Sequence, residues 1–225
     1  MAKLLIFGIG KIGQVAHYHF THDSEYEVAG FVTDRNFVPE GGLYEGLPVV
    51  AFEEVENHFS PTTYTMFVAI GYQQMNQLRA DRLREAKAKG YKTTRYISSQ
   101  NNHMHADQVG ENSFVMSGNP IQPHAAIGAN CFVWTNAIIG HHSHVADHCW
   151  ITSGVVIGGN SRIGENCFLG LGSTIGHEVN VGARCLVGAG ALITKDVADD
   201  GVYIAEETPR FRLTSQQFLR MTKMK

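Results

Sequence analysis

The pattern of apolar and polar positions changes character once along this chain. Through residue 105, short apolar runs alternate with helix-favouring stretches. Lys3–Phe7 is an apolar run that stops at Gly8-Ile9-Gly10-Lys11-Ile12-Gly13, and a helical stretch, Gln14–His22, follows. Strands are predicted at Glu27–Thr33 and Thr65–Ile70, a charged helix at Gln77–Lys89 with Gly90 as its stop, and a last strand at Lys92–Ile97. Strands alternating with helices predict an α/β domain with a parallel sheet over residues 1–105.

From Val109 the period becomes six. Every sixth residue from Val109 to Ile193 is Val, Ile or Leu, fifteen hexads without an insertion. The fifth place of each hexad is small or β-branched: Ser, Asn, Ala, Cys or Val. Hexapeptide periodicity is the mark of a parallel β-helix. Three hexads make one triangular coil of eighteen residues, with the aliphatic first position pointing inward and coils stacked at about 4.8 Å. The division expected is an α/β domain over 1–105, a β-helix over 106–204 and a tail over 205–225.

The repeat changes how the cysteines read. Cys131, Cys149, Cys167 and Cys185 are eighteen residues apart and form one column continuing Ser113. They are expected as small corner fillers in a reducing compartment rather than as disulfides or metal ligands. Asn112, Asn130, His148, Asn166 and Arg184 form another column, where Asn suits a left-handed turn. Phe114, Phe132, Trp150, Phe168 and Leu186 form an outer, mostly aromatic column. One coil, Val145–Arg162, departs from habit at Ala146, His148 and Trp150, directly after Ile139-Gly140-His141-His142-Ser143-His144. Local departure inside a regular repeat marks the place to look for function.

Composition narrows the field. The chain is 44 % hydrophobic and 17 % charged, with a formal net charge of −3. That balance gives no reason to expect a nucleic acid or an anionic membrane as partner. No apolar run is long enough to span a bilayer, so no membrane insertion and a cytoplasmic location are expected.

Six histidines lie in the repeat: 124, 141, 142, 144, 148 and 177. Trimeric β-helices of the γ-carbonic anhydrase type bind zinc through three histidines, one pair five residues apart. Five residues after His141 stands Ala146, and five after His177 stands Gly182, so no zinc site is expected. The other chemistry open to this fold is acyl transfer from a CoA thioester. The acceptor must lose a proton as it attacks, and a histidine is the natural base, worth roughly 10²–10⁴ in rate. Gly170-Leu171-Gly172 and Gly188-Ala189-Gly190-Ala191 supply backbone N–H groups for an oxyanion.

An N-terminal βαβ region with a Gly-rich first turn, followed by fifteen hexads, resembles the bacterial sugar N- and O-acyltransferases of the hexapeptide-repeat superfamily. These include bacillosamine-precursor and perosamine N-acetyltransferases and the sialic acid O-acetyltransferase family. The segments that carry the resemblance are Ile138-Ile139-Gly140-His141, Ile163-Gly164-Glu165-Asn166-Cys167-Phe168-Leu169-Gly170 and Val187-Gly188-Ala189-Gly190-Ala191. The resemblance implies a small Rossmann-like domain followed by a left-handed β-helix. It also implies a homotrimer with active sites between subunits, acetyl-CoA or another acyl-CoA as co-substrate rather than a resident cofactor, and a nucleotide-linked amino sugar as acceptor. The biological setting it implies is O-antigen or lipopolysaccharide synthesis.

By the same resemblance His141 stands where the family's general base stands. The next position, commonly acidic, is His142, and Glu178, two coils beyond it, is a further candidate to polarise the base. A second family histidine is replaced by Trp150, and a family Asn that contacts the acceptor amine is replaced by Trp134. The acyl-CoA is expected near Trp150, Gly159, Leu171 and Ala189. Ala205-Glu206-Glu207-Thr208-Pro209-Arg210 replaces the family's Gly-x-Pro-Ala segment after the helix. In the N-terminal domain Gly8, Gly10, Lys11, Gly13, Asp34, Arg35, Gly71 and Tyr72 would line the nucleotide site.

A Gly-rich turn between strand and helix cradles phosphate in many nucleotide-binding proteins. An NAD-dependent dehydrogenase is therefore a rival, weakened because no second catalytic domain remains once the β-helix is assigned. Two more rivals stand beside it: O-acetylation of a sugar hydroxyl, and a non-catalytic scaffold that only binds nucleotide.

Overall fold

The computed structural model describes residues 2–101 and 106–222. Its N-terminal sheet contains β1 (Ala2–Phe7), β2 (Tyr26–Thr33), β3 (Leu43–Tyr44), β4 (Leu47–Ala51), β5 (Tyr64–Val68) and β6 (Lys92–Thr93) in the order β3-β4-β2-β1-β5-β6. Neighbours are parallel except in the β3–β4 hairpin. Leu4, Leu5, Ile6 and Phe7 of β1 are all buried, because both faces of the sheet are covered. Helix α1 (Lys11–His22) packs Ala16 and Phe20 on one face. On the other lie Val55 of the short α2 (Val55–His58) and Leu83 and Ala86 of α3 (Gln77–Ala88).

The single strand expected over Lys92–Ile97 divides. Lys92–Thr93 closes the N-terminal sheet, whereas Tyr96–Ile97 pairs with Phe114–Val115 and forms the first rung of the β-helix. The chain turns between two sheets at Thr94 and Arg95. The boundary expected at 105 adjoins residues 102–105, which lie outside the described residues.

The hexads form short parallel strands stacked with an eighteen-residue register, as in Phe132 opposite Trp150 and Trp150 opposite Phe168. Three sheets result. One runs from Tyr96–Ile97 to Val202–Tyr203; another contains Ile138–Ile139, Val156–Ile157, Thr174–Ile175 and Leu192–Ile193. The third contains Ala126–Ile127, His144–Val145, Arg162–Ile163 and Asn180–Val181. The aliphatic first positions and all four cysteines fill the interior. Each cysteine thiol donates to a carbonyl in the next coil, as Cys149 does to Gly164 at 3.1 Å. The Asn112 column is left-handed, with φ between 53° and 65° at Asn112, Asn130, His148, Asn166 and Arg184.

The aromatic column lies outside the prism but not in solvent. Phe114, Phe132 and Trp150 are buried against Phe20 and Phe67 of the N-terminal domain. Their rings stack at 5.5 Å and 4.8 Å. The two domains therefore share one core. After Val202–Tyr203 the chain ends in an exposed helix, α4 (Ser215–Thr222). No helix among the described residues is long and apolar enough to cross a membrane.

Candidate active site

The turn from β1 into α1 and the ends of β2 and β5 enclose a cleft of about 790 Å³. Gly8, Gly10, Lys11, Asp34, Gly71 and Tyr72 line it. Helix α1 opens at Lys11 with no side-chain cap, so its first N–H groups are available to an anion in the cleft. Gly13 and Arg35 do not line it. A Cβ at Gly13 would run into the carbonyl of Gly8, so this glycine serves the close approach of α1 to the turn. Arg35 points away and pairs with Glu54 at 3.1 Å. Asp34 accepts from Arg82 Nη2 at 3.0 Å.

A second cleft of about 490 Å³ opens on the β-helix where the Trp150 sheet meets its following corner. It contains Trp134, Trp150, Leu171 and Ala189, four positions singled out from sequence, together with Thr152, Ser153, Phe168 and Gly170. Ile12 and Tyr72 line both clefts, so the two adjoin. Tyr72 meets Phe168 at 4.8 Å and Trp150 at 5.5 Å. Trp150 holds two roles at once: it belongs to the stacked column and it walls the slot. Trp134 contacts it at 5.7 Å, and the Trp134 indole N–H is buried without a partner among the described residues.

His141 lies on a different corner, after Ile138–Ile139. Its Nδ1 is 3.2 Å from Nδ1 of His142, and its backbone N–H donates to Gln122 Oε1 at 2.9 Å. One of the two Nδ1 atoms must carry the proton. With His141 as donor, its Nε2 is left with a free lone pair. His142 is at φ 58°, a left-handed corner, and its ring also lies 4.6 Å from His124. Glu178 does not polarise His141 or His142 through any described contact; its carboxylate is 3.3 Å from His177 Nε2. Gly159 sits one coil above His141, and a Cβ there would come within 2.7 Å of His141 Nε2. The absence of a side chain at Gly159 is what lets the imidazole lie where it does. Gly159 thus belongs with His141, not with the Trp150 cleft. Among the described residues no group of three or more His, Cys, Asp or Glu is placed to hold a metal ion.

One residue behind the site carries no sequence signal. Arg79 of α3 is completely buried between the domains, without a carboxylate among its hydrogen-bond partners in the described residues. Its guanidinium donates to the carbonyls of Gly71, Asn130 and His148 at 2.9–3.2 Å and to Asn76 Oδ1 at 3.0 Å. It also lies 5.0 Å from the Phe132 ring and 5.4 Å from Trp150. Burial lowers its pKa to about 10, which leaves it charged at neutral pH. Arg79 therefore fixes both the Gly71 edge of the first cleft and the back of Trp150. Burial also holds the neighbouring His148 imidazole below its usual value.

The hexapeptide repeat family of succinyl-transferase matches residues 160–195. A search of curated protein sequences returns no match. Among solved structures, the acetyltransferase domain of PglB from Neisseria gonorrhoeae superposes with TM-score 0.77 and 26 % identity over 91 % of this chain and 97 % of that one. The same domain in complex with acetyl coenzyme A gives TM-score 0.76 and 26 % identity over 90 % and 96 %. PerB from Caulobacter crescentus, in complex with CoA and GDP-perosamine, has the same fold at TM-score 0.77 and 24 % identity over 91 % and 95 %. The unbroken hexads, the two-domain order and superposition over nine-tenths of the chain agree on the fold: a Rossmann-like domain ahead of a left-handed β-helix, similar throughout to these sugar N-acetyltransferase structures, with the hexapeptide-repeat family matched over residues 160–195.

Proposed function

We propose that the protein transfers an acyl group, acetyl in the first instance, from acyl-CoA to the amino group of a nucleotide-linked amino sugar. The observation that carries this reading is the pair of adjoining clefts joined at Ile12 and Tyr72. The Gly-rich cleft suits a nucleotide diphosphate at the start of α1. The slot beside it suits the sugar and the acyl-CoA arm. The solved relatives hold acetyl coenzyme A, or CoA with GDP-perosamine.

His141 Nε2 takes a proton from the amine as its nitrogen attacks the thioester carbon. The tetrahedral intermediate collapses, the C–S bond breaks, and the same imidazole returns the proton to the departing CoA thiolate. The products are the amide and CoA. His142 Nδ1 accepts from His141 Nδ1–H and fixes the tautomer, the part that an acidic residue plays in the resembling enzymes.

The base and the slot stand on different corners of one prism. Six residues separate the corners, at most about 20 Å. Copies placed side by side in a homotrimer would bring His141 of one against the Trp150 slot of the next. The test is a panel of nucleotide-linked amino sugars with acetyl-CoA, read by thiol release and mass spectrometry. Gain of one acyl group on an amine is expected, with His141→Asn slowing transfer about 10²–10⁴-fold. Full rate in His141→Asn with every acceptor rejects the base assignment, and acylation of hydroxyls alone rejects N-transfer.

A further inference from the structure

The C-terminal segment differs from the body in charge and in packing. After Glu207 the chain carries Arg210, Arg212, Arg220, Lys223 and Lys225 and no acidic residue. Of the chain's 18 Lys and Arg and 21 Asp and Glu, residues 1–207 therefore hold 13 and 21, a formal −8 beside the segment's +5. Helix α4 begins on a capping box. The Gln217 N–H donates to Thr214 Oγ1 at 3.3 Å, and the Thr214 N–H donates to Gln217 Oε1 at 3.0 Å.

The helix start is thus written locally, yet a helix of eight residues is not stable in water without packing. Its apolar side is unpacked. Phe218, Leu219 and Met221 are 40–57 % exposed, and Phe211 sets its ring edge-on to Phe218 at 5.8 Å. The body ends on a surface of the same kind: Leu192, Val202 and Ile204 on the last coil are 64–79 % exposed. A solenoid end is normally capped by a polar outer face. In one chain, the helix and the coil each leave an apolar face in water.

We propose that α4 is a strap that docks on the last coil of a second copy of this chain, with Arg220 and the preceding Arg210 and Arg212 lying over that copy's acidic body. The inference rests on the side-by-side assembly argued for the acyl-transfer site. Continuity supports it. The segment leaves from Val202–Tyr203, which stacks on Leu186–Val187, so it begins above the corner of Leu171 and Ala189 that the neighbouring copy would face. Reach supports it too: residues 205–214 span up to about 33 Å when extended, more than one side of the prism.

The four native cysteines are buried, so introduced thiols can be addressed selectively. Leu192→Cys chains and Met221→Cys chains are co-expressed and treated with a short bis-maleimide. A covalent pair at about twice the 24.8 kDa chain mass is expected in the mixture and in neither variant alone. Adding Phe218→Glu to the Met221→Cys chain should cut its yield about tenfold or more, since one aromatic contact is worth at least that. Cross-linking only within a Leu192→Cys/Met221→Cys double variant, as a monomer, would mean the helix caps its own coil and overturns the proposal. So would absence of any cross-link, whether or not the chain floats with anionic phosphatidylglycerol vesicles. Acyl transfer is measured on the same samples. Transfer without the mixed cross-link rejects the strap alone; the cross-link without transfer rejects the enzymatic reading alone.

Discussion

Gly158 and Gly159 are neighbours on one corner, and the structure assigns them opposite sensitivities. A Cβ on Gly159 would meet three atoms of the His141 ring, at 2.7, 2.8 and 3.1 Å. These are the far end of an exposed side chain, held by one hydrogen bond to His142 and able to yield. Ordinary contact between heavy atoms needs about 3.5 Å, so Gly159→Ala must push the ring by about 0.8 Å. A Cβ on Gly158 would instead meet the backbone of Gly176 and His177 at 2.6–2.8 Å, where the next coil cannot yield. Gly159→Ala should leave the melting temperature essentially unchanged, within the ~0.5 kcal/mol typical of surface substitutions. Gly158→Ala should lower stability by roughly 1–3 kcal/mol, the usual cost of overpacking.

The catalytic consequence runs the other way. A misplacement of about 1 Å costs on the order of 10²-fold in rate, which corresponds to about 2.7 kcal/mol of barrier. Gly159→Ala should therefore lose about two orders of magnitude in kcat while its KM for acyl-CoA moves little, because the wall of the slot is untouched. The assay is steady-state thiol release beside a thermal melt of the same preparation. An active Gly159→Ala enzyme would remove His141 from the chemistry or show that its ring is not held where the reaction occurs. A Gly159→Ala protein that unfolds would refute the claim that only a mobile side chain stands in the way.

Arg79→Met leaves the carbonyls of Gly71, Asn130 and His148 facing an apolar side chain and should cost roughly 3–5 kcal/mol in a denaturant titration; a loss under 1 kcal/mol would mean the domains are held elsewhere. Burial keeps the His148 and His19 imidazoles below their usual value of 6.5, so the unfolded chain takes up these protons first as pH falls. Their contribution is complete above about pH 6.5 and is lost below it. His148→Asn, which suits the left-handed corner already occupied by Asn112, Asn130 and Asn166, should keep neutral-pH stability and flatten the fall below pH 6.5; an unchanged slope would assign the loss to other groups.

The β-helix is legible in the sequence because each hexad carries its own instruction. The aliphatic position turns inward, and the Asn column marks the left-handed corner, whatever happens elsewhere in the chain. The features that escape a reading of the sequence depend on which face meets which. Nothing in Lys92–Ile97 marks a change of sheet, since Thr94 and Arg95 are neither Gly nor Pro. The repeat sets the aromatic column on the outside of the prism, but only the docked sheet with Phe20 and Phe67 removes it from water. Arg79 looks like one of several charges on a polar helix, and its burial follows from the cross-domain carbonyls that receive it. The β3–β4 hairpin does leave a trace, Glu45-Gly46, both at positive φ as a two-residue turn requires. Resemblance places Gly159 with acyl-CoA; the register of the coils adds that it lies beside His141, outside the lining of the Trp150 cleft.

An eighteen-residue repeat sorts residues by column, and this sets a strict arithmetic for the side-by-side assembly proposed. His141 and Gly159 belong to one corner; Trp150, Leu171 and Ala189 line the cleft at another. A chain carrying His141→Asn keeps its slot, and a chain carrying Ala189→Trp keeps its base with its slot filled. Each variant alone should be inactive. If every active site takes its base from one copy and its slot from the next, random equal mixing pairs an intact base with an intact slot at one contact in four. Co-expressed variants should then recover about a quarter of the wild-type kcat per site, and mixing after separate folding should recover it only as fast as the copies exchange. A site contained within one chain has no intact pair to offer, because every chain carries one lesion. Recovery near zero from a mixed, properly assembled sample would therefore place base and slot in the same copy and would require acyl-CoA to cross the face between the two corners.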